Sequence, residues 1–134
     1  MKREVNEIIV HCTATKEGKE YSVDTIRQWH VQKGWRDIGY HFVVHLDGSV
    51  SVGRNIEWAG AHCEGHNANS IGIVYVGGCD KNGKAKDTRT EAQKMALRVL
   101  ISGLKQVYKI NKVSGHRDYA NKACPCFDVS KENY

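Results

Sequence analysis

Hydrophobic residues are grouped along the chain in short continuous runs that predict β-strands. The segment VNEIIVH, residues 5–11, ends in an apolar run and precedes a Thr-, Lys- and Gly-rich stretch, which predicts a buried strand leading into a loop. A second run, SIGIVYVGG at 70–78, is equally strand-like. Between them, YHFVVHL at 40–46 and SVSVG at 49–53 flank Asp47-Gly48, a dipeptide typical of two-residue hairpin loops. The pattern therefore predicts two strands separated by a hairpin.

Two other segments have the spacing and the end signals of helices. Ser22 suits an N-cap and Gly34 a terminator, so a helix is predicted over 22–33. Thr90 and Gln93 form a capping-box pattern that begins a longer helix over about 90–109. Its apolar residues predict a helix heavily buried against a sheet: Ala92, Met95, Ala96, Val99, Leu100, Gly103 and Val107, widened by Leu97, Ile101 and Leu104.

The order of these elements indicates the fold class. Strand, helix, hairpin, strand and helix follow one another, the polar segment 79–87 predicts a loop, and 112–114 is a further short strand candidate. Such interleaving predicts an α/β protein with a mixed central β-sheet covered by helices. A chain of 134 residues can bury one hydrophobic core, so we expect a single domain over residues 1–134, with a monomer as the default.

Charge and composition exclude some classes of function. The net charge is +5 and the sequence pI about 9.0, yet the basic residues are scattered without an arginine-rich stripe, so no nucleic-acid partner is expected. The charge suits either a polyanionic partner or a solubilising surface.

No apolar run approaches the roughly 20 residues of a membrane span. Residues 1–4 lead directly into a strand without a signal-peptide pattern, which predicts synthesis in the cytoplasm with reduced thiols.

Histidine and cysteine residues at the ends of predicted strands suggest a metal site. His11 closes the first strand, His116 follows the strand candidate at 112–114, and Cys124 comes eight residues later. Two imidazoles and one thiolate form a three-ligand zinc set that leaves a fourth position open, as catalytic zinc requires. Proline after Cys124 favours an extended backbone there, which places Lys122 on the same side as that thiol.

The residues alone leave alternatives to this open three-ligand site. A fourth ligand, Cys126 or Cys12, would close it, although Cys12 should face away from its neighbour His11. Cys124 could instead be the thiolate nucleophile of a cysteine hydrolase with a histidine as base. The remaining histidines are weaker candidates: His41 and His45 are expected on one partly exposed face of a strand, and His30 and His66 are ambiguous.

An ordered set of segments resembles a known family. IIVHCTATKEG, IRQWHVQKGWRDIGYHFVVHLDGSV, GAHCEGHNANSIGIVYVGG, GHRD and KACPCFD together resemble the zinc-dependent N-acetylmuramoyl-L-alanine amidases, in particular the small phage endolysins, and in outline the peptidoglycan recognition proteins. The resemblance implies one catalytic zinc ion on His11, His116 and Cys124, with Tyr40 and Lys122 as catalytic residues. It also implies that His62 and Asn67 line the substrate groove, with His30 and Trp35 as weaker candidates.

The same resemblance implies the reaction and the partners. The substrate would be the amide between N-acetylmuramic acid and L-alanine in peptidoglycan, cleaved on the cell wall after release of the enzyme, with a holin giving access. Some phage lysozymes of this type also inhibit a phage RNA polymerase, which makes a polymerase a second expected partner. The alternative is a peptidoglycan-binding module without activity. Cys126 departs from the small serine or glycine that such enzymes usually carry at this position.

Overall fold

A five-stranded mixed sheet forms the centre of the computed structural model, which describes residues 3–134. The elements in chain order are β1 (Glu7–Cys12), β2 (Thr15–Lys16), α1 (Val23–Gln32), β3 (Phe42–Val44), β4 (Val50–Val52), β5 (Ser70–Tyr75), β6 (Gly78–Cys79), α2 (Glu91–Val107) and β7 (Lys112–Gly115). The strand order of the sheet is β4-β3-β5-β1-β7. Within it, β1 pairs in parallel with both β5 and β7, β3 pairs in parallel with β5, and only the β3–β4 hairpin is antiparallel. The predicted α/β class with a mixed central sheet is confirmed.

Alternate residues of the strands pack into two separate cores. Ile8 and Val10 of β1 lie in the larger core together with Leu97 of α2. Ile26 of α1 packs with Val74 of β5 in the smaller one. Since neighbouring residues of a strand point to opposite faces, Cys12 joins the larger core and His11 points the other way, as predicted.

Both helices begin where the sequence predicts. The Ser22 side chain accepts the Thr25 backbone N–H at 3.1 Å and caps α1. The Thr90 side chain accepts the Gln93 N–H and the Gln93 side chain accepts the Thr90 N–H, both at 3.0 Å. These reciprocal bonds satisfy N–H groups that have no partner within the first turn.

The prediction of a heavily buried α2 is wrong for one of its two apolar stripes. Leu97, Ile101 and Leu104 are buried against the sheet, whereas Met95 and Val99 remain 64% and 63% exposed. A helix lying on a sheet buries only one stripe of its surface. In α2 that stripe consists of Leu97, Ile101 and Leu104, which are four and three positions apart. Neither α1 nor α2, the two α-helices of the described residues, has the length and hydrophobicity of a membrane span.

Three further expectations need correction. The hairpin forms, but its loop is longer than two residues, because His45 N–H bonds to Ser49 O and Gly48, at φ +85°, completes the turn. His41 and His45 are buried rather than partly exposed, because each ring hydrogen-bonds through both of its nitrogens. The predicted loop at 79–87 also begins with a residue of β6, which pairs with β2.

Candidate active site

Two histidines meet at the carboxyl ends of neighbouring parallel strands. Val10 of β1 is paired with Gly115 of β7, so the residues that follow them, His11 and His116, lie side by side, with ring centroids 4.6 Å apart. His116 opens a short 3-10 turn as the chain leaves the sheet. The carboxyl edge of parallel strands is where sheets of this kind commonly build sites.

A loop brings a thiol to the two imidazoles. Cys124 Sγ lies 3.9 Å from His11 Nδ1, and the ligand atoms of His11, His116 and Cys124 all lie within 4.8 Å of one another. The loop is pinned by the Arg117 N–H, which donates to Cys124 O at 2.8 Å, and by the Tyr75 hydroxyl, which donates to Pro125 O at 2.6 Å. The structure therefore brings together the three residues predicted as ligands, and this group could hold a metal ion.

The other two thiols near this group point elsewhere. Cys126 Sγ lies 3.3 Å from Gly78 O and 3.9 Å from Cys12 Sγ. Among the described residues, neither thiol belongs to the group that could share a metal ion. Within the part of the chain that the structure describes, the group that could share a metal ion therefore has three members, His11, His116 and Cys124.

The pKa values of the three groups favour their metal-binding forms. Burial, helped by His62, His116 and Lys122, holds the pKa of His11 well below its usual value, and burial lowers the pKa of His116 as well. Hydrogen bonding from Cys12 is the largest cause that lowers the pKa of the Cys124 thiol. Neutral imidazoles and an acidified thiol are the forms that offer lone pairs to a cation.

Tyr40 and Lys122 approach the group from the groove side. The Tyr40 ring centroid lies 5.1 Å from that of His11, and burial raises the pKa of the phenol, which therefore stays protonated and able to donate. Lys122 is exposed on the loop of Cys124, and its charge acts on His11, His116 and Cys124. By pattern alone, Tyr40 is only an aromatic residue at the start of the predicted strand 40–46, so its place beside His11 was indicated by the family resemblance and not by the pattern.

An open groove of about 590 Å³ runs past this group. Its lining includes every residue predicted for catalysis or substrate binding, together with one metal-ligand candidate: Tyr40, Lys122, His62, Asn67, His30, Trp35 and His116. Residues that the sequence did not single out also line it: Lys33, Ala61, Cys63, Glu64, Tyr119 and Ala120. Tyr119 follows His116 by only three positions in the sequence. That closeness to a candidate metal ligand is a signal by which the sequence could have identified Tyr119 as a residue of the groove.

The four residues predicted to bind substrate differ in how exposed they are and in whether their side chains already form hydrogen bonds within the protein. Trp35 is 36% exposed, but His30 is buried and its Nδ1 accepts the Gly39 N–H at 2.8 Å, with burial lowering its pKa to about 4. The Asn67 side-chain oxygen accepts the backbone N–H groups of His62 and Cys63, both at 3.0 Å. Asn67 therefore shapes the loop that carries His62.

Most of the chain matches one protein family. A family model described as N-acetylmuramoyl-L-alanine amidase matches residues 1–127, which include the groove and the His–His–Cys group. The protein therefore belongs to the N-acetylmuramoyl-L-alanine amidase family.

Individual relatives narrow this assignment. The endolysin of Klebsiella phage KP32 is 43% identical over 130 residues, covering 97% of this chain and 86% of the relative. N-acetylmuramoyl-L-alanine amidase LysC from Clostridium intestinale URNW superposes with a TM-score of 0.84 at 29% identity, covering 98% of this chain and 83% of that one. A chain from the complex of the peptidoglycan recognition proteins LCa and LCx with tracheal cytotoxin superposes with a TM-score of 0.78 at 30% identity. This match covers 93% of the present chain and 78% of that one.

Proposed function

We propose that this protein is a zinc-dependent amidase, formed by a single catalytic domain over residues 1–134, that hydrolyses the bond between N-acetylmuramic acid and L-alanine in peptidoglycan. The observation that carries the proposal is the convergence of His11, His116 and Cys124 beside an open groove in a chain of the amidase family. Its similarity to phage endolysins supports a role in lysis of the bacterial cell wall.

The donor set is the reason for choosing zinc. Two imidazoles and one thiolate are typical zinc ligands, and three protein ligands leave a position for reactants. When bound, zinc would supply Lewis acidity, polarising the scissile carbonyl and lowering the pKa of a water to about 7.

Tyr40 and Lys122 are proposed to stabilise the charge that develops on the carbonyl oxygen. The raised pKa of the half-buried Tyr40 phenol keeps its proton on the oxygen, where it can be donated in a hydrogen bond. Lys122 adds a positive charge on the open side of the groove. Donors and charges fixed in place before the reaction stabilise an oxyanion without having to reorganise.

A second candidate function is binding of peptidoglycan without cleavage. The similarity to the recognition proteins bound to tracheal cytotoxin favours it. Against it, a binding module needs neither the three converging ligands nor a protonated phenol beside them. A holin partner and inhibition of a phage RNA polymerase stay predictions, which a co-expression lysis assay and a transcription assay would test.

The deciding experiment combines metal analysis with product analysis. Wild-type protein is expected to contain one zinc ion per chain and to release stem peptides from purified sacculi, with mass spectrometry showing free lactyl carboxyl and L-alanine amino groups. Cys124→Ser should lose both zinc and activity, whereas the matched control Cys79→Ser, a thiol outside the ligand group, should keep both.

Three results would contradict the proposal. Full activity after complete removal of metal would exclude a zinc enzyme. Loss of activity in Cys124→Ser with zinc content unchanged would favour the thiol nucleophile. Binding of sacculi without any cleavage would favour the recognition module.

A further inference from the structure

A chain of hydrogen bonds leads from the first metal-ligand candidate into the sheet. His11 Nε2 lies 2.8 Å from His62 Nδ1, and His62 Nε2 lies 3.1 Å from Ser70 Oγ. Ser70 Oγ in turn lies 2.7 Å from the backbone oxygen of His66. His11, His62 and Ser70 are all buried, so water does not compete for these contacts.

The positions of the protons can be worked out from the Ser70 end of this series of hydrogen bonds. A carbonyl oxygen only accepts, so the single Ser70 hydroxyl proton points at His66 O. Ser70 Oγ must then accept from His62 Nε2–H. A neutral imidazole carries one proton, which leaves a lone pair on His62 Nδ1 and requires the facing His11 Nε2 to donate. The remaining lone pair of His11 is on Nδ1, the atom 3.9 Å from Cys124 Sγ.

The surroundings of His62 allow its ring little freedom. A Cβ atom at Gly60 or at Gly72 would come within 2.6 Å of the His62 ring, so both glycines make room for it. The backbone N–H of His62 is held by Asn67 at 3.0 Å. Packing against two glycines and hydrogen bonds at both ring nitrogens therefore hold the His62 ring in one orientation.

We propose that His62 and Ser70 are positioning residues that fix His11 as its Nε2–H tautomer and so direct Nδ1 at the metal. The assignment rests on the proposed function, because it takes His11 as a metal ligand. It changes the role predicted for His62 from contact with substrate to control of the ligand. Partners that donate to or accept from a ligating histidine commonly orient the ring and raise metal affinity.

The test measures metal affinity and tautomers in the full-length protein. In His62→Ala, which removes the acceptor for His11, the zinc Kd from chelator competition should rise about 10- to 100-fold. His62→Asn offers a carbonyl oxygen near the position of Nδ1 and should recover part of that loss. Ser70→Ala should raise the Kd about three- to tenfold, the size of one neutral hydrogen bond.

A matched control and a spectroscopic signature separate positioning from a general structural role. Ser51→Ala removes a hydroxyl that lies 2.7 Å from buried His45 Nε2, away from the ligand group, and should leave the zinc Kd within about twofold. Long-range ¹H–¹⁵N spectra of the wild type should show His11 and His62 as Nε2–H tautomers with and without zinc.

The outcomes distinguish this proposal from the proposed function. A wild type that binds no zinc would overturn the proposed function and this proposal with it. A wild type that binds zinc, with the affinity unchanged in His62→Ala or with His62 protonated on Nδ1, would overturn the positioning role alone.

Discussion

Buried His41 should make the protein lose stability in mildly acidic solution. Its Nδ1 accepts the Gly72 N–H at 3.0 Å and its Nε2 donates to Trp58 O at 2.8 Å, so the neutral ring is fully bonded. Burial, helped by Arg3 and Arg54, lowers its pKa to about 4. Protonation would turn Nδ1 from an acceptor into a donor facing the Gly72 N–H.

The size of the effect follows from the two pKa values of His41. The unfolded chain binds a proton below pH 6.5, whereas the folded protein does so only near pH 4. The stabilisation is therefore complete above pH 6.5 and is lost as the pH falls from 6.5 towards 4. Linkage between these values gives a loss of about 1.3 kcal/mol from pH 7.5 to pH 5.5 for this residue alone.

Urea unfolding at the two pH values measures this loss. Other buried histidines also contribute, so the comparison is with His41→Asn, whose side-chain oxygen can still accept the Gly72 N–H but does not titrate. The free energy of unfolding should fall by about 1.3 kcal/mol more in the wild type than in the variant. Equal losses in the two proteins would refute the reasoning.

Three other predictions address the site and the core. Tyr40→Phe should lower kcat about 10²- to 10³-fold with zinc content unchanged, measured by release of stem peptides, because it removes a donor to the oxyanion; an unchanged kcat would exclude that role. Ile101→Ala should cost about 2–5 kcal/mol of unfolding free energy, and the exposed Val99→Ala within about 0.5 kcal/mol of zero; similar costs would contradict the buried stripe of α2. Cys126→Ser should retain one zinc ion per chain by elemental analysis, since its thiol points at Gly78 O; loss of zinc would restore the four-ligand alternative.

Local signals of the sequence were sufficient to predict both helices and the main strands and to single out the three candidate metal ligands. Caps at Ser22 and Thr90 depend on neighbouring residues only, so they could be predicted and are present. His11 and His116 were singled out as candidate ligands because each lies at the carboxyl end of a predicted strand. The strand order, however, depends on contacts between distant segments, and no local pattern indicates that β1 lies between β5 and β7.

Burial was harder to predict where two apolar stripes compete. Met95 and Val99 have the same helical spacing as the buried residues of α2, and only packing against the sheet decides which stripe is covered. His41 and His45 fit a half-exposed strand by pattern. Their burial depends on partners far along the chain, such as Gly72 for His41 and Glu20 for His45.

The sequence of β5 has small residues on the face that packs against His62, and the structure explains why. In SIGIVY, Ile71, Ile73 and Tyr75 fill the larger core, while the alternate positions begin with Ser70 and Gly72. A strand buried on both faces usually carries large apolar residues on each. Two small residues on one face therefore indicate that something other than the strand fills that space, and here the imidazole of His62 does so, with Ser70 as its hydrogen-bond partner. The side chain that fills this space is inserted from the loop before β5, and it lies 2.8 Å from His11, one of the three candidate metal ligands.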